Sequence, residues 1–177
     1  MYRKSAAIFL PLLVAACATS QGPASTGGVP DKIKGSPKES VAMVVPAKGF
    51  QLYECREKKD QAGAYEWAFV APDAALYDTT GKKIGKHYAG PHWESADGSK
   101  LLGMVKEKVD APQADAIPWL LLTAKSVGPE GAFSKVTSIQ RINTTGGVAP
   151  KSGCMKETVS ASARVPYTAD YYFLAEK

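Results

Sequence analysis

Gly85-Lys-His-Tyr-Ala-Gly-Pro-His-Trp-Glu-Ser-Ala-Asp-Gly-Ser99 carries the turn chemistry that decides the fold. Asp97-Gly98 is a strong hairpin signal, because both central residues of a type I′ turn need positive φ. His92-Trp93-Glu94 leads into that turn and Lys100 to Val109 leads out of it. Upstream, Lys83 to Ala89 reads as a further strand, bent away from His92 by Gly90-Pro91. Short turns of this kind join antiparallel neighbours, so the middle of the chain is expected to be a meander.

Working toward the N-terminus, Gly49-Phe-Gln-Leu-Tyr-Glu-Cys55 alternates with period two. Phe50, Leu52 and Glu54 fall on one face, and Gln51, Tyr53 and Cys55 on the other. Tyr65 to Val70 alternates again, with Tyr65, Trp67 and Phe69 together; Pro72 interrupts and Ala75-Leu-Tyr77 resumes. Ser40 to Pro46 is a short apolar run suited to a first edge strand. Toward the C-terminus, Ile117-Pro-Trp-Leu-Leu-Leu-Thr123 is apolar at both parities, which predicts a strand buried on both faces, with a short buried helix as the rival. Ala114 to Ala116 has room for one helical turn. Val136 to Asn143 is a β-branched strand, Val148 to Lys156 is irregular, and Val165 to Leu174 closes the chain as an aromatic strand. So aromatic a segment would be a liability on an exposed edge, so it is expected to pair centrally. About eight to ten strands with little helix predict an all-β antiparallel sandwich or barrel.

The 177 residues suit one domain with an N-terminal extension. Met1-Tyr-Arg-Lys is a basic start, and Ser5 to Ala16 is an apolar run shorter than the about 20 residues a spanning helix needs. Residues 1–16 therefore read as a secretory signal. Leu13-Val-Ala-Ala-Cys17 resembles the bacterial lipoprotein cleavage box, which implies cleavage before Cys17 and lipid on its sulfur and new amino terminus. An ordinary signal peptide with a coincidental cysteine is the plainer alternative. Ala18 follows, with no aspartate to retain the protein at an inner membrane, so in a diderm bacterium the outer membrane is expected. Residues 17–39, rich in Ser, Thr, Gly, Pro and Lys, read as a flexible tether, and 40–177 as the single domain.

The formal charge is +5; without Arg3 and Lys4 it is 20 basic against 17 acidic side chains, or +3. The lysines are scattered, so nucleic acid is not an expected partner. Of three cysteines, Cys17 belongs to the leader, leaving Cys55 and Cys154. In an oxidising compartment these two form a disulfide; the alternative is two buried thiols. A bridge closing a loop of roughly 100 residues is worth about 4.7 kcal/mol in the chain-entropy account.

A series of blocks is specific. These are Gln51-Leu-Tyr-Glu-Cys55; Trp67 with Ala71-Pro-Asp-Ala74; Gly85-x-His87-Tyr88-Ala-Gly90-Pro91-x-Trp93-Glu94; Asp97-Gly-Ser99; Ile117-Pro-Trp119; Ile139-Gln-Arg141-Ile-Asn143; Gly146-Gly147-x-Ala149-Pro150; Cys154; and Val165-Pro-Tyr167-x-Ala169-Asp170-Tyr171-x-Phe173. From Phe50 to Leu174 the chain resembles the DUF3455 family of secreted bacterial and fungal proteins of unknown function. That resemblance implies export and one domain, and no activity. His92 stands where many members are expected to carry threonine, which argues against a family-wide metal site using both histidines.

Three kinds of chemistry are open to these residues. His87 and His92, five apart, point to opposite faces of a regular strand unless the Gly90-Pro91 bend gathers them with Glu94 or Asp97 as a metal site. The plainer reading is one packed histidine and one exposed one, and no metal or other cofactor is expected. A hydrolase would use His87 with Asp97 or Glu94, although Asp97-Gly-Ser99 is explained as turn chemistry. A binding site would use His87, Tyr88, Trp93, Glu94 and Arg141, with flat aromatic faces and convergent polar groups suited to a sugar, a phenolic or another small ligand. Trp67 and Trp119 are expected in the core, Tyr88 and Trp93 more open, and Arg141 paired with Glu94 or Asp170. The protein is thus expected to be a lipid-anchored, monomeric cell-envelope domain that binds a small molecule or glycan or plays a structural part, with the envelope hydrolase as alternative.

Overall fold

The computed structural model describes residues 28–177. The leader, Cys17 and most of the tether lie outside the described residues. Eight antiparallel strands run in order and close on themselves: β1 Glu39–Glu57, β2 Tyr65–Tyr77, β3 Lys83–Tyr88, β4 His92–Ser95, β5 Lys100–Val109, β6 Trp119–Ser126, β7 Val136–Gly146 and β8 Ser162–Glu176. The expected sandwich-or-barrel is thus an up-and-down barrel. Closure leaves no free edge, and β8 lies between β1 and β7 as its aromatic sequence requires.

Two expected interruptions are absent. Ser40 to Pro46 and Gly49 to Cys55 are one long strand, and β2 passes through Pro72. Both strands absorb the irregularity at a bulge, with the β1–β2 register shifting between Leu52 and Tyr53. The Asp97-Gly98 turn joins β4 to β5 where the sequence places it, but it is not the expected type I′: Gly98 alone takes positive φ, at 89°, and the loop has three residues, closed by the Gly98 amide donating to the Ser95 carbonyl at 3.0 Å and the Ser95 amide to the Ser99 carbonyl at 2.9 Å.

The meander sorts its connections to two ends. Residues 58–64, 89–91, 110–118 and 147–161 share one end; 78–82, 96–99 and 127–135 share the other. The second end is plugged. Asp97 accepts from the Ser99 amide at 2.9 Å and the Ala132 amide at 2.7 Å, and Ser99 Oγ accepts from the Phe133 amide at 3.1 Å. This ties loop 127–135 across the opening and sets the Phe133 ring edge-on to Phe173, centroids 4.9 Å apart. Val45, Leu76, Leu101, Leu122 and Ile139 complete the dry filling.

β6 is buried on both faces, as its apolar run predicts. Leu120 and Leu122 face the lumen, while Leu121 joins Tyr172, Ile142 and Leu174 outside the barrel. That outer cluster is covered by Val29 and by Ile33 from a short 3-10 helix, Asp31–Ile33, and Gln140 Nε2 donates to the Ile33 carbonyl at 2.6 Å. The tether boundary at 39 is therefore corrected. Residues 28–38 belong to the folded body because two apolar side chains in an otherwise polar stretch seal the outer apolar face.

Trp67 is not in the core as expected, and Trp119 reaches an apolar cluster only on the outside of the barrel. Trp119 packs with the outer cluster, and Trp67 is half-exposed, donating from Nε1 to the Ser152 carbonyl at 2.8 Å. Cys55 and Cys154 are bridged, Cα atoms 5.2 Å apart, which pins loop 147–161 to β1.

Candidate functional site

Toward the unplugged end the lumen is hollow. A cavity of about 610 Å³ opens between the 89–91 turn, the Ile117-Pro118 segment, β1 and β2. Eight strands enclose an interior just wide enough to be filled by side chains or to hold one small ligand, and this barrel does one thing at each end. The β1 face carrying Gln51 and Tyr53 points inward, and the face carrying Phe50 points out. That inversion, polar residues inside, is what leaves room and hydrogen-bonding groups in the wall.

The cavity floor is aromatic. His87 on β3 pairs with Trp93 on β4, and their rings stack 4.1 Å apart at 15°. Tyr171 from β8 sits edge-on to both, at 5.2 and 5.4 Å. Trp93 is only 1 % exposed, not open as expected, because its indole lies over Gly103 of β5. A Cβ at Gly103 would come within 2.6 Å of the ring, so only glycine admits the tryptophan there. Tyr53 Oη donates to the Gly147 carbonyl at 2.6 Å, bracing the wall against the loop that follows β7. Phe69, Val70 and Val105 form an apolar lip, 54 %, 47 % and 53 % exposed.

The polar groups are few and defined. His87 is 3 % exposed, and burial, with the positive charge of Arg141 adding to it, pushes its imidazole down to about 3. The ring is therefore neutral. Its Nδ1 lies 2.8 Å from the His92 carbonyl, which can only accept, so the proton sits on Nδ1 and Nε2 is left as an acceptor. Gln51 Nε2 and Trp93 Nε1 are buried in the cavity wall without a hydrogen-bond partner. Burial also raises the phenols of Tyr53 and Tyr171, so both stay protonated.

Arg141 points into the same space. Its Nε and Nη2 donate to the Pro118 carbonyl at 3.1 and 2.8 Å. The expected pairing with Glu94 or Asp170 does not occur. Asp170 accepts from Asn143 Nδ2 at 2.9 Å, and Glu94 lies outside the barrel. Strand parity explains this, because Glu94 follows the inward Trp93 and so faces solvent. There it bridges Lys86 at 3.2 Å and Lys100 at 3.3 Å and accepts from Tyr88 Oη at 2.5 Å. The Tyr88 hydrogen bond and the two lysines hold its carboxyl down near 2.

The five residues proposed from sequence thus divide between two faces: His87, Trp93 and Arg141 share the cavity, while Tyr88 and Glu94 stand on the outer wall. His92 is outside too, stacked on Tyr88 at 5.4 Å, so the two histidines do not converge. Among the described residues no group of three or more His, Cys, Asp or Glu could hold a metal ion. The hydrolase pair is not assembled either. Asp97 is spent on the plug, Glu94 is outside, and no Asp or Glu among the described residues lines the cavity. Sequence reading missed Gln51, Tyr53, Tyr171 and the lip. The visible signal was Gln51-x-Tyr53-x-Cys55, an inward face more polar than its opposite.

The family described as "Protein of unknown function (DUF3455)" matches residues 36–175. The chain belongs to the DUF3455 family. No curated protein and no solved structure matches it. The match begins three residues before β1 and ends one residue short of the end of β8, so the DUF3455 domain is this barrel, cavity and plug together.

Proposed function

We propose that this DUF3455 domain is a ligand-binding barrel of the cell envelope. It is exported, tied to a membrane by lipid on Cys17, and receives a small molecule with an apolar or aromatic body. The observation that carries the reading is the cavity of about 610 Å³ whose wall holds two unspent N–H donors, Gln51 Nε2 and Trp93 Nε1. Small-molecule sites span about 300–1,000 Å³ and combine apolar walls with a few placed polar groups. Buried donors in native proteins are nearly always satisfied, and a ligand acceptor is one way to satisfy these. The Cys55–Cys154 bridge suits an oxidising compartment, and the basic-apolar leader ending at Cys17 supports anchoring.

The test is a titration of the purified full chain with 1-aminoanthracene, a neutral fluorescent probe of apolar cavities. Saturable quenching of tryptophan emission is expected, most of it lost in Trp93→Phe and kept in Trp67→Phe. Absence of saturable binding, or quenching that Trp93→Phe leaves intact, overturns the reading.

A further inference from the structure

The cavity wall holds more donors than it satisfies. Arg141 contributes a guanidinium with five N–H donors, and Pro118 takes two of its nitrogens. Gln51 Nε2 and Trp93 Nε1 add donors without partners, both from side chains at least nine-tenths buried. The wall also offers acceptors, the His87 Nε2 lone pair, Gln51 Oε1 and the hydroxyl oxygens of Tyr53 and Tyr171, but none of them carries negative charge. The charge is lopsided. Arg141 makes no salt bridge with any described residue, and the other charged side chain among the described residues lining the cavity is Lys108, exposed and also basic. A half-buried guanidinium without a counterion is better served by an anion than by a neutral group. Its planar fork suits a carboxylate better than any neutral group.

We propose that the natural ligand is an amphipathic carboxylic acid. Its carboxylate seats on the Arg141 guanidinium, and its apolar or aromatic body runs past the Trp93 and His87 rings to the lip at Phe69 and Val70. The inference rests on the cavity-binding reading above and adds the charge of the occupant. Neutral sugars would leave the Arg141 charge without a counterion. Bases and cations are disfavoured by Arg141 and Lys108 together.

The experiment compares matched probes on the full chain at neutral pH, by calorimetry and tryptophan quenching: 3-phenylpropionate against 3-phenylpropan-1-ol, and octanoate against 1-octanol. Each carboxylate is expected to bind roughly 10- to 100-fold more tightly than its alcohol, the range of a charge-assisted hydrogen bond. Arg141→Met should weaken the acids and leave the alcohols, bringing the pairs level, while Arg141→Lys keeps part of the preference. The wild-type ratio decides the matter even if Arg141→Met fails to fold. Alcohols binding as well as acids to the wild type overturn the anion inference and leave the cavity reading standing. A preference for acids undiminished in folded Arg141→Met overturns the assignment to Arg141. If neither pair nor 1-aminoanthracene binds, both readings fall together.

Discussion

The two ends of this barrel are built from the same eight strands and are filled in opposite ways. At the plugged end, Phe133, Phe173, Ile139, Leu101 and Leu76 interlock without a polar atom among their side chains. At the open end, the corresponding space is walled by Gln51, Tyr53, His87, Trp93, Arg141 and Tyr171 and left hollow. What holds each end differs accordingly. The plug is kept by packing and by the Asp97–Ser99 turn, the open end by a covalent bridge from Cys55 to Cys154 and by hydrogen bonds such as Tyr53 to Gly147. The lesson is that stability and recognition are separated along the barrel axis. One end could be changed at the expense of folding, the other at the expense of binding.

The largest effect that would test this separation is Phe133→Ala. Deleting a ring fully buried against Phe173 should cost about 3–5 kcal/mol in denaturant unfolding. In protein that remains folded, 1-aminoanthracene should bind as before. A matching loss of binding would mean that the two ends are one cooperative unit.

Between pH 7 and pH 5 acid should act chiefly through the open end, since the lowered Asp97 carboxyl of the plug titrates below that interval. His87 titrates near 6.5 when unfolded and near 3 when folded. Between those values only the unfolded chain takes up the proton, so stability is complete above about pH 6.5 and falls as the pH drops. From pH 7 to pH 5 this amounts to a loss of about 2 kcal/mol. His87→Phe, which keeps a ring on Trp93, should flatten denaturant midpoints across that interval. A slope that survives the substitution would place the acid sensitivity elsewhere.

The smallest change is expected from Gln51→Leu. It removes an unpartnered buried donor but also a neighbour of the Tyr167 hydroxyl, so stability should shift by less than about 1 kcal/mol. Ligand affinity should fall measurably. A destabilisation as large as that of Phe133→Ala would show that Gln51 is structural and would erase the contrast between the two ends.

Much of the fold could be read from local pattern, and much of the site could not. Alternation in Gly49 to Cys55, the Asp97-Gly98 turn and the double-sided apolar run at Leu120 to Leu122 each reflect a neighbour-to-neighbour constraint, and each has its predicted place in the barrel. Cys55 and Cys154, the two cysteines left after the leader, could pair in only one way. The candidate site mixed two faces because its five residues were gathered by nearness in sequence. Tyr88 and Glu94 are adjacent to His87 and Trp93 in the chain and are on the other side of the wall by strand parity. Arg141 belonged in the set, but its partner is the Pro118 carbonyl, which no charge pattern reveals. Trp67 and Trp119 were drawn to the core by apolar neighbours, yet both strands also have an outer face to cover.

By itself, then, the sequence determined an antiparallel all-β domain, the places of its main turns, the one way its two remaining cysteines could pair and the residues able to bear chemistry. These depend on period-two patterning and on backbone preferences that act over a few residues. Only the tertiary structure decided that the sheet closes, which end is plugged, and that Gln51, His87, Trp93, Arg141 and Tyr171 meet in one hollow. They come from five different strands, and the distance between them is set by closure of the barrel, a property of the whole chain.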